Sequence, residues 1–207
     1  MSVLERLASA LGRNDEQPNV ELAEALAAKP DTAAIAELAD ALATGTTARQ
    51  NDAIKVLYEL GERAPELVAP HTPAFLALLK SKNNRNVWGA LSALDTVAGF
   101  EPRAIAKHLD AILAAADKGS VIAKDKAMSI LSKLALAGEG KAMPALLDRL
   151  DAAAVNQFPM YAKLVAAAVT PANKARLVTI LEGRLKTLDA PAKKARVEKV
   201  LRRLAKR

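Results

Sequence analysis

Ala53-Ile54-Lys55-Val56-Leu57, completed by Leu60, is the stretch from which the fold is read. Positions 53, 56, 57 and 60 are apolar. That i, i+3, i+4, i+7 spacing lays side chains along one face of an α-helix. The pattern returns 37 residues on as Ala90-Leu91-Ser92-Ala93-Leu94 with Val97, and 37 further as Ala127-Met128-Ser129-Ile130-Leu131 with Leu134. It continues at a spacing of about 35 as Ala162, Val165, Ala166 and Val169, then as Val197, Val200, Leu201 and Leu204. A self-similar period of this length marks a stack of like units.

A second helical pattern lies before each copy. It runs through Ile35, Leu38, Ala39 and Leu42, then Thr72, Phe75, Leu76 and Leu79, then Leu109, Ile112, Leu113 and Ala116. Leu146, Leu147 and Leu150 continue it, and Leu177, Ile180, Leu181 and Leu185 close the series. Each unit is therefore two helices, and about five such pairs are expected over residues 31–207. Residues 1–30 are expected to form an N-terminal helical cap, because an open end of a stack needs a polar cover. The whole is read as one domain. At least ~65% helix is expected, well above the usual helical share. Ile54, Leu57, Leu91, Leu94, Ile130 and Leu131 should be buried.

Punctuation supports this division. Ser2 with Glu5 predicts a capping box for a helix that Gly12 ends. Asp31 and Thr47 stand where N-caps belong. Thr72-Pro73 and Thr170-Pro171 place a capping residue before a proline in the first turn. Arg13 to Pro18 reads as a polar linker before a short helix from Val20 to Ala28. Gly61, Gly99, Gly119, Gly138 and Gly140 read as breaks between helices. Pro65 and Pro102, again 37 apart, open equivalent helices. Pro70 should interrupt the first of these, leaving a short helix near Pro65 to Ala69, a turn, and a helix from Pro73.

The 207 residues include 51% hydrophobic and only 3% aromatic side chains. Alanine and leucine supply most of the apolar content, which favours helix over strand. There is no cysteine, so thiolate metal sites and cysteine nucleophiles are excluded. No run approaches the ~18 apolar residues of a membrane span. The first residues lack a signal-peptide core, since Glu5 and Arg6 interrupt it. A cytoplasmic protein away from membranes is the expectation.

Asn84-Arg85-Asn86-Val87-Trp88-Gly89-Ala90-Leu91-Ser92-Ala93-Leu94 resembles the second helix of a HEAT repeat. The prolines of the alternate helices are similar to that family too. The resemblance covers roughly residues 30–207. It implies a right-handed α-α superhelix, a HEAT/armadillo-like solenoid of bacterial type, with the second helices lining a concave surface and the first helices outside. Such proteins commonly present that surface to protein partners. DNA alkylation-repair glycosylases also stack HEAT-like repeats, but their aromatic-lined cleft is not matched by one tryptophan with Tyr58 and Tyr161 on different repeats.

No chemistry competes with a binding role. Serines stand in helices without a paired histidine. Gly138-Glu139-Gly140-Lys141 lacks the earlier glycine and following Ser/Thr of a phosphate loop and reads as a turn. His71 and His108, 37 apart, lack the further ligands of a metal site. No catalytic residue, metal or cofactor is expected.

Two places could carry binding. Trp88, with Arg85 in the polar turn before it, is either an extension of the core stripe or a partly exposed anchor, since tryptophan and arginine favour binding surfaces. The second place is the C-terminus. Residues 1–100 hold 9 Lys/Arg against 13 Asp/Glu, net −4, whereas residues 101–207 hold 21 against 10, net +11. Residues 173–207 alone are net +9, and Lys193, Lys194, Arg196, Lys199, Arg202, Arg203, Lys206 and Arg207 surround the last apolar stripe. They form either a solvated cap or a contact for nucleic acid or an acidic partner. A non-catalytic scaffold for a protein partner is the favoured reading. Nucleic-acid binding through Lys193, Lys194, Lys199, Arg202, Arg203 and Lys206 is the alternative.

Overall fold

In a computed structural model describing residues 2–206, 78% of the chain is helical and the described residues contain no strand. None of their helices is long and apolar enough to cross a membrane. The helices are α1 (Gln17–Ala28), α2 (Thr32–Thr44), α3 (Thr47–Arg63), α4 (Pro65–Val68), α5 (Thr72–Leu78), α6 (Asn84–Phe100), α7 (Pro102–Ala106), α8 (Leu109–Lys118), α9 (Val121–Leu136), α10 (Ala142–Asp151), α11 (Phe158–Ala168), α12 (Pro171–Leu185) and α13 (Pro191–Ala205). The chain forms two compact units, one up to Ala127 and one from Met128.

In the first unit α3 packs on α6, α1 and α2 pack on α3, and α5 packs on both α2 and α6. The apolar stripes of the sequence face inward here. Ile54, Leu57, Leu91 and Leu94 are buried, as are Phe75 and Ile112 from the alternate helices. In the second unit α11 packs on α13, α10 on α12, and each of α10 and α12 on the helix that follows it. Ile130, Leu131, Leu147, Leu177 and Leu181 are buried.

Local chemistry explains the boundaries, with several corrections. Asp31 caps α2, its Oδ1 accepting from the Ala34 N–H at 3.0 Å. The cap of α3 is Thr46 and not Thr47, with Oγ1 accepting from the Arg49 N–H at 3.4 Å. Thr72 is likewise the first residue of α5 and His71 the cap position. Thr170 does stand before Pro171, but its hydroxyl accepts from Asn173 Nδ2 and no backbone group. The first helix is only a 3₁₀ turn, Val3–Arg6. Ser2 Oγ accepts from the Leu4 N–H and donates to Glu37 of α2, which also accepts from the Val3 N–H. A partner across the fold therefore stands at this end where a local capping box was expected. Pro18 lies inside α1, at a position where a missing N–H costs nothing.

Pro70 interrupts its helix as expected, with a 3₁₀ turn over Ala69–His71 between α4 and α5. The equivalent break between α7 and α8 contains no proline.

Gly61 and Gly99 are inside α3 and α6, not between helices. Close approach explains Gly61. A Cβ there would overlap Thr96 Oγ1 of α6 and lie 3.0 Å from Val68 Cγ2. Gly89 answers from α6, where a Cβ would stand 2.9 Å from Ile54 Cγ1. The two glycines let α3 and α6 approach along their length. Gly61→Ala gains helix propensity of about 1 kcal/mol and meets overpacking of about 1–3 kcal/mol. Net destabilisation is expected, because Thr96 cannot rotate without giving up the bond from its Oγ1 to the Ala93 carbonyl at 2.7 Å. Urea denaturation should show the loss shrinking in a Thr96→Ala background. Equal losses in the two backgrounds would refute the contact.

Candidate functional site

The helix α13 is built on a narrow stripe. Val197, Val200 and Leu204 are buried, while Arg196, Lys199, Arg202 and Arg203 are exposed. α13 packs on α11, whose last three residues, Ala166 to Ala168, are all alanine. Between the two helices lies a groove of about 410 Å³. Ala166 and Ala167 of α11 and Val200 and Leu204 of α13 form its floor. Lys163, Arg203 and Lys206 are its charged lining, and no carboxylate lines it. Lys163 is the single charged residue of α11 and lies three and four residues before the floor alanines, hence on their face.

The structure distributes the six basic residues of the C-terminus unequally. Arg203 and Lys206 line the groove. Lys199 and Arg202 are exposed on α13, and Arg202 lies 3.9 Å from Glu198, with both side chains largely exposed. An exposed pair of this kind contributes little. Lys193 donates to Asn156 Oδ1 at 2.6 Å, and both Lys193 and Lys194 are half-buried. Lys163 was missed because a single lysine in an alanine-rich helix carries no charge signal in a sequence window. Its standing as the only charge on that helix was the signal available.

Arg85 and Trp88 come together on a different structure, a network joining α1, α3 and α6. Glu16, which precedes α1, pairs with the Arg85 guanidinium and lies 3.3 Å from Lys55 Nζ. Lys55 also bonds Glu59 at 2.7 Å, and Glu59 bonds Arg63 at 2.8 Å. Half-buried Trp88 packs against Tyr58, their ring centroids 5.9 Å apart and tilted by 51°. Lys55 Nζ stands 4.9 Å above the Tyr58 ring, a cation–π geometry. Burial works against the charge on Lys55, but the hydrogen bond to Glu59 and its companions prevail, so the ammonium is held above its ordinary value. Burial likewise opposes the Glu59 carboxylate, and Lys55 and Arg63 outweigh it and hold the group below the usual range. Arg85 and Trp88 are thus engaged with neighbours of their own chain.

The turn reading of residues 138–141 holds. Gly138 has φ of 81°, the Glu139 N–H reaches the Leu134 carbonyl and the Gly138 N–H reaches that of Ala135, which is a helix-ending motif. No group of three or more metal-ligating side chains occurs among the described residues.

Burial lowers the pKa of half-buried His71, opposed by the more weakly felt Asp40. A folded pKa below the unfolded value of ~6.5 means that the unfolded chain takes up the proton first. Its contribution to stability is therefore complete above that pH and is lost as pH falls through the folded value. Denaturation midpoints between pH 7.5 and 5 should fall more steeply for the wild type than for His71→Gln. Parallel slopes would show that the imidazole stays solvated.

No family model matches the chain, and no curated protein matches it. Solved structures do match. An engineered protein determined by the Northeast Structural Genomics Consortium aligns over 100% of this chain and 98% of its own, with a TM-score of 0.61 and 16% identity. A second engineered protein from the same consortium aligns over 99% of each chain, with a TM-score of 0.62 and 18% identity. At such identities the likeness concerns the helical fold alone.

Proposed function

We propose that this chain is a HEAT-like α-solenoid, a single domain of about five helix pairs behind a cap of residues 1–30, and that it serves as a non-catalytic scaffold for a protein partner. The recurrence of one packing scheme supports the architecture. α3 meets α6 while α2 meets α5 in the first unit, and α11 meets α13 while α10 meets α12 in the second. Each such set is what stacked helix pairs require.

The observation that carries the function is the groove between α11 and α13. In its floor, half-buried Ala166 and exposed Ala167, above buried Val200 and Leu204, offer apolar area that a phosphate backbone has no means of covering. Its lining of Lys163, Arg203 and Lys206 selects acidic neighbours for whatever apolar side chain enters. A protein segment supplies both.

Nucleic-acid binding is the second reading, favoured by the outward cations of α13, Lys199 and Arg202 among them. Salt separates the two. Phosphate contacts are strong at about 50 mM salt and weaken steeply above it. Under the protein reading the full chain shows no saturable binding to duplex DNA or RNA at the lower salt. Tight duplex binding with a steep salt dependence, abolished when Lys193, Lys194, Lys199, Arg202, Arg203 and Lys206 are all changed to Gln, would replace the protein reading with the other.

A further inference from the structure

A second groove, of about 590 Å³, lies within the first unit, between α5, the turn that follows it, the start of α6, and α8. Leu76, Leu79 and Val87 form its apolar wall together with three alanines of α8. Its charged lining residues are Lys80, Lys82 and Lys118, all exposed, and again no carboxylate is among them. The first unit, residues 1–127, carries a net charge of −3, yet residues 67–94, which supply seven of the twelve lining residues, hold no Asp or Glu. The acidic side chains of the unit lie elsewhere, several of them in the Glu16, Glu24 and Glu59 network with Lys55, Arg63 and Arg85.

We propose that this groove is a separate docking site for an acidic amphipathic helix of a partner protein. The choice of occupant follows from what each candidate leaves unsatisfied. A polyphosphate backbone neutralises three lysines and leaves half-buried Leu76 and the exposed Ala111 and Ala114 in water. A neutral apolar segment covers the wall and strips water from lysines that gain no partner. An amphiphile with one carboxylate answers one cation of three. A helix with leucines on one stripe and glutamates or aspartates flanking it satisfies the wall and all three lysines together. The alanines of α8 keep that wall low, so a helix backbone can come near. The proposal rests on the protein-binding reading above in taking the partner as a protein.

The test uses the full chain carrying Lys163→Glu, Arg203→Glu and Lys206→Glu, so that the α11/α13 groove cannot contribute. The probe is a fluorescein-labelled synthetic helix of leucine, alanine and glutamate, ~18 residues or five turns long, with leucines at i, i+3, i+4 and i+7. Fluorescence anisotropy should show saturable binding. Adding Lys80→Glu, Lys82→Glu and Lys118→Glu should weaken it by at least about ten-fold, with an unchanged circular dichroism melt. Leu76→Gln, at a half-buried position, should weaken it as well, and polyglutamate of equal charge should bind at least about ten-fold less tightly. The proposal is overturned by absence of saturable binding, by a smaller loss on reversing the three lysines, or by polyglutamate or duplex DNA binding as well as the helix. Those outcomes leave the α11/α13 reading untouched, because that groove is disabled throughout. Failure of partner capture at that groove would in turn leave this binding curve unchanged.

Discussion

Leu94→Asp is expected to destabilise the first unit by more than about 4 kcal/mol, in the range reserved for named core defects. Leu94 is completely buried in α6, the helix against which α3 and α5 pack. The change removes a buried leucine, about 2–3 kcal/mol in transfer alone, and leaves a carboxylate with no partner in an apolar setting. Leu204→Asp makes the same exchange at a buried position in the last turn of α13. There the helix end can fray, and Arg203 and Lys206 are close enough in sequence to answer the new charge. Its loss should be smaller by at least about 2 kcal/mol on the usual scale of substitutions. Urea denaturation followed by circular dichroism measures both, and equal losses would contradict the packing described.

Asp52→Ala should produce the second large effect, through hydrogen bonding. Asp52, nearly buried on α3, accepts from the Ser9 N–H at 2.8 Å and from Asn19 Nδ2 at 2.8 Å. Asn19 is fully buried, and its own Oδ1 accepts from the Ala8 N–H at 3.0 Å. Three elements are tied here: the N-terminal segment, α1 and α3. Removing the carboxylate leaves the buried Asn19 amide and the part-buried Ser9 N–H without their acceptor, a loss of about 3 kcal/mol from two bonds to a charged group. Asp52→Asn should rescue little. Both neighbours donate, so an acceptor-only group is required, and the amide NH₂ would face a donor. Hydrogen exchange should show the Ala8 and Ser9 amides losing protection while those of α6 keep theirs. Unchanged protection at Ala8 and Ser9 would refute the tether.

The helices were legible because burial on one face imposes a period that no other structure shares. The stripes read from the sequence fall on helices, two of them overrunning by one residue at Leu79 and Val169, and the six residues named as core are buried. Some misreadings are one-residue shifts of a cap, as at Thr46 and Thr72; the larger ones arise where a distant group overrides a local rule. Gly61 looks like a breaker until Thr96 is placed beside it. Ser2 looks like half of a capping box until Glu37 arrives from α2. Tyr58 and Trp88 belong to different helical units and stand 30 residues apart, out of step with the 37-residue period. Long side chains leaning toward the helix N-terminus bring the rings together all the same. The candidate sites were less legible. The density of basic residues pointed to α13, but a groove is made by two helices, and its third cation, Lys163, stands on the other. The lysines of the second groove come from two places far apart in sequence, the turn after α5 and the last residue of α8, so no single window of sequence shows them together.

The central claim, that the groove between α11 and α13 receives a protein partner, is tested most directly by capture from nuclease-treated native lysate. The wild type is compared with the Lys163→Glu, Arg203→Glu, Lys206→Glu variant and with a variant carrying Lys199→Glu and Arg202→Glu on the exposed part of the same helix. A defined protein should be retained by the wild type, reduced at least about ten-fold by the groove changes, a free-energy difference of about 1.4 kcal/mol, and little affected by the other pair. Equal retention by all three proteins, or capture that disappears with nuclease treatment, would contradict the claim.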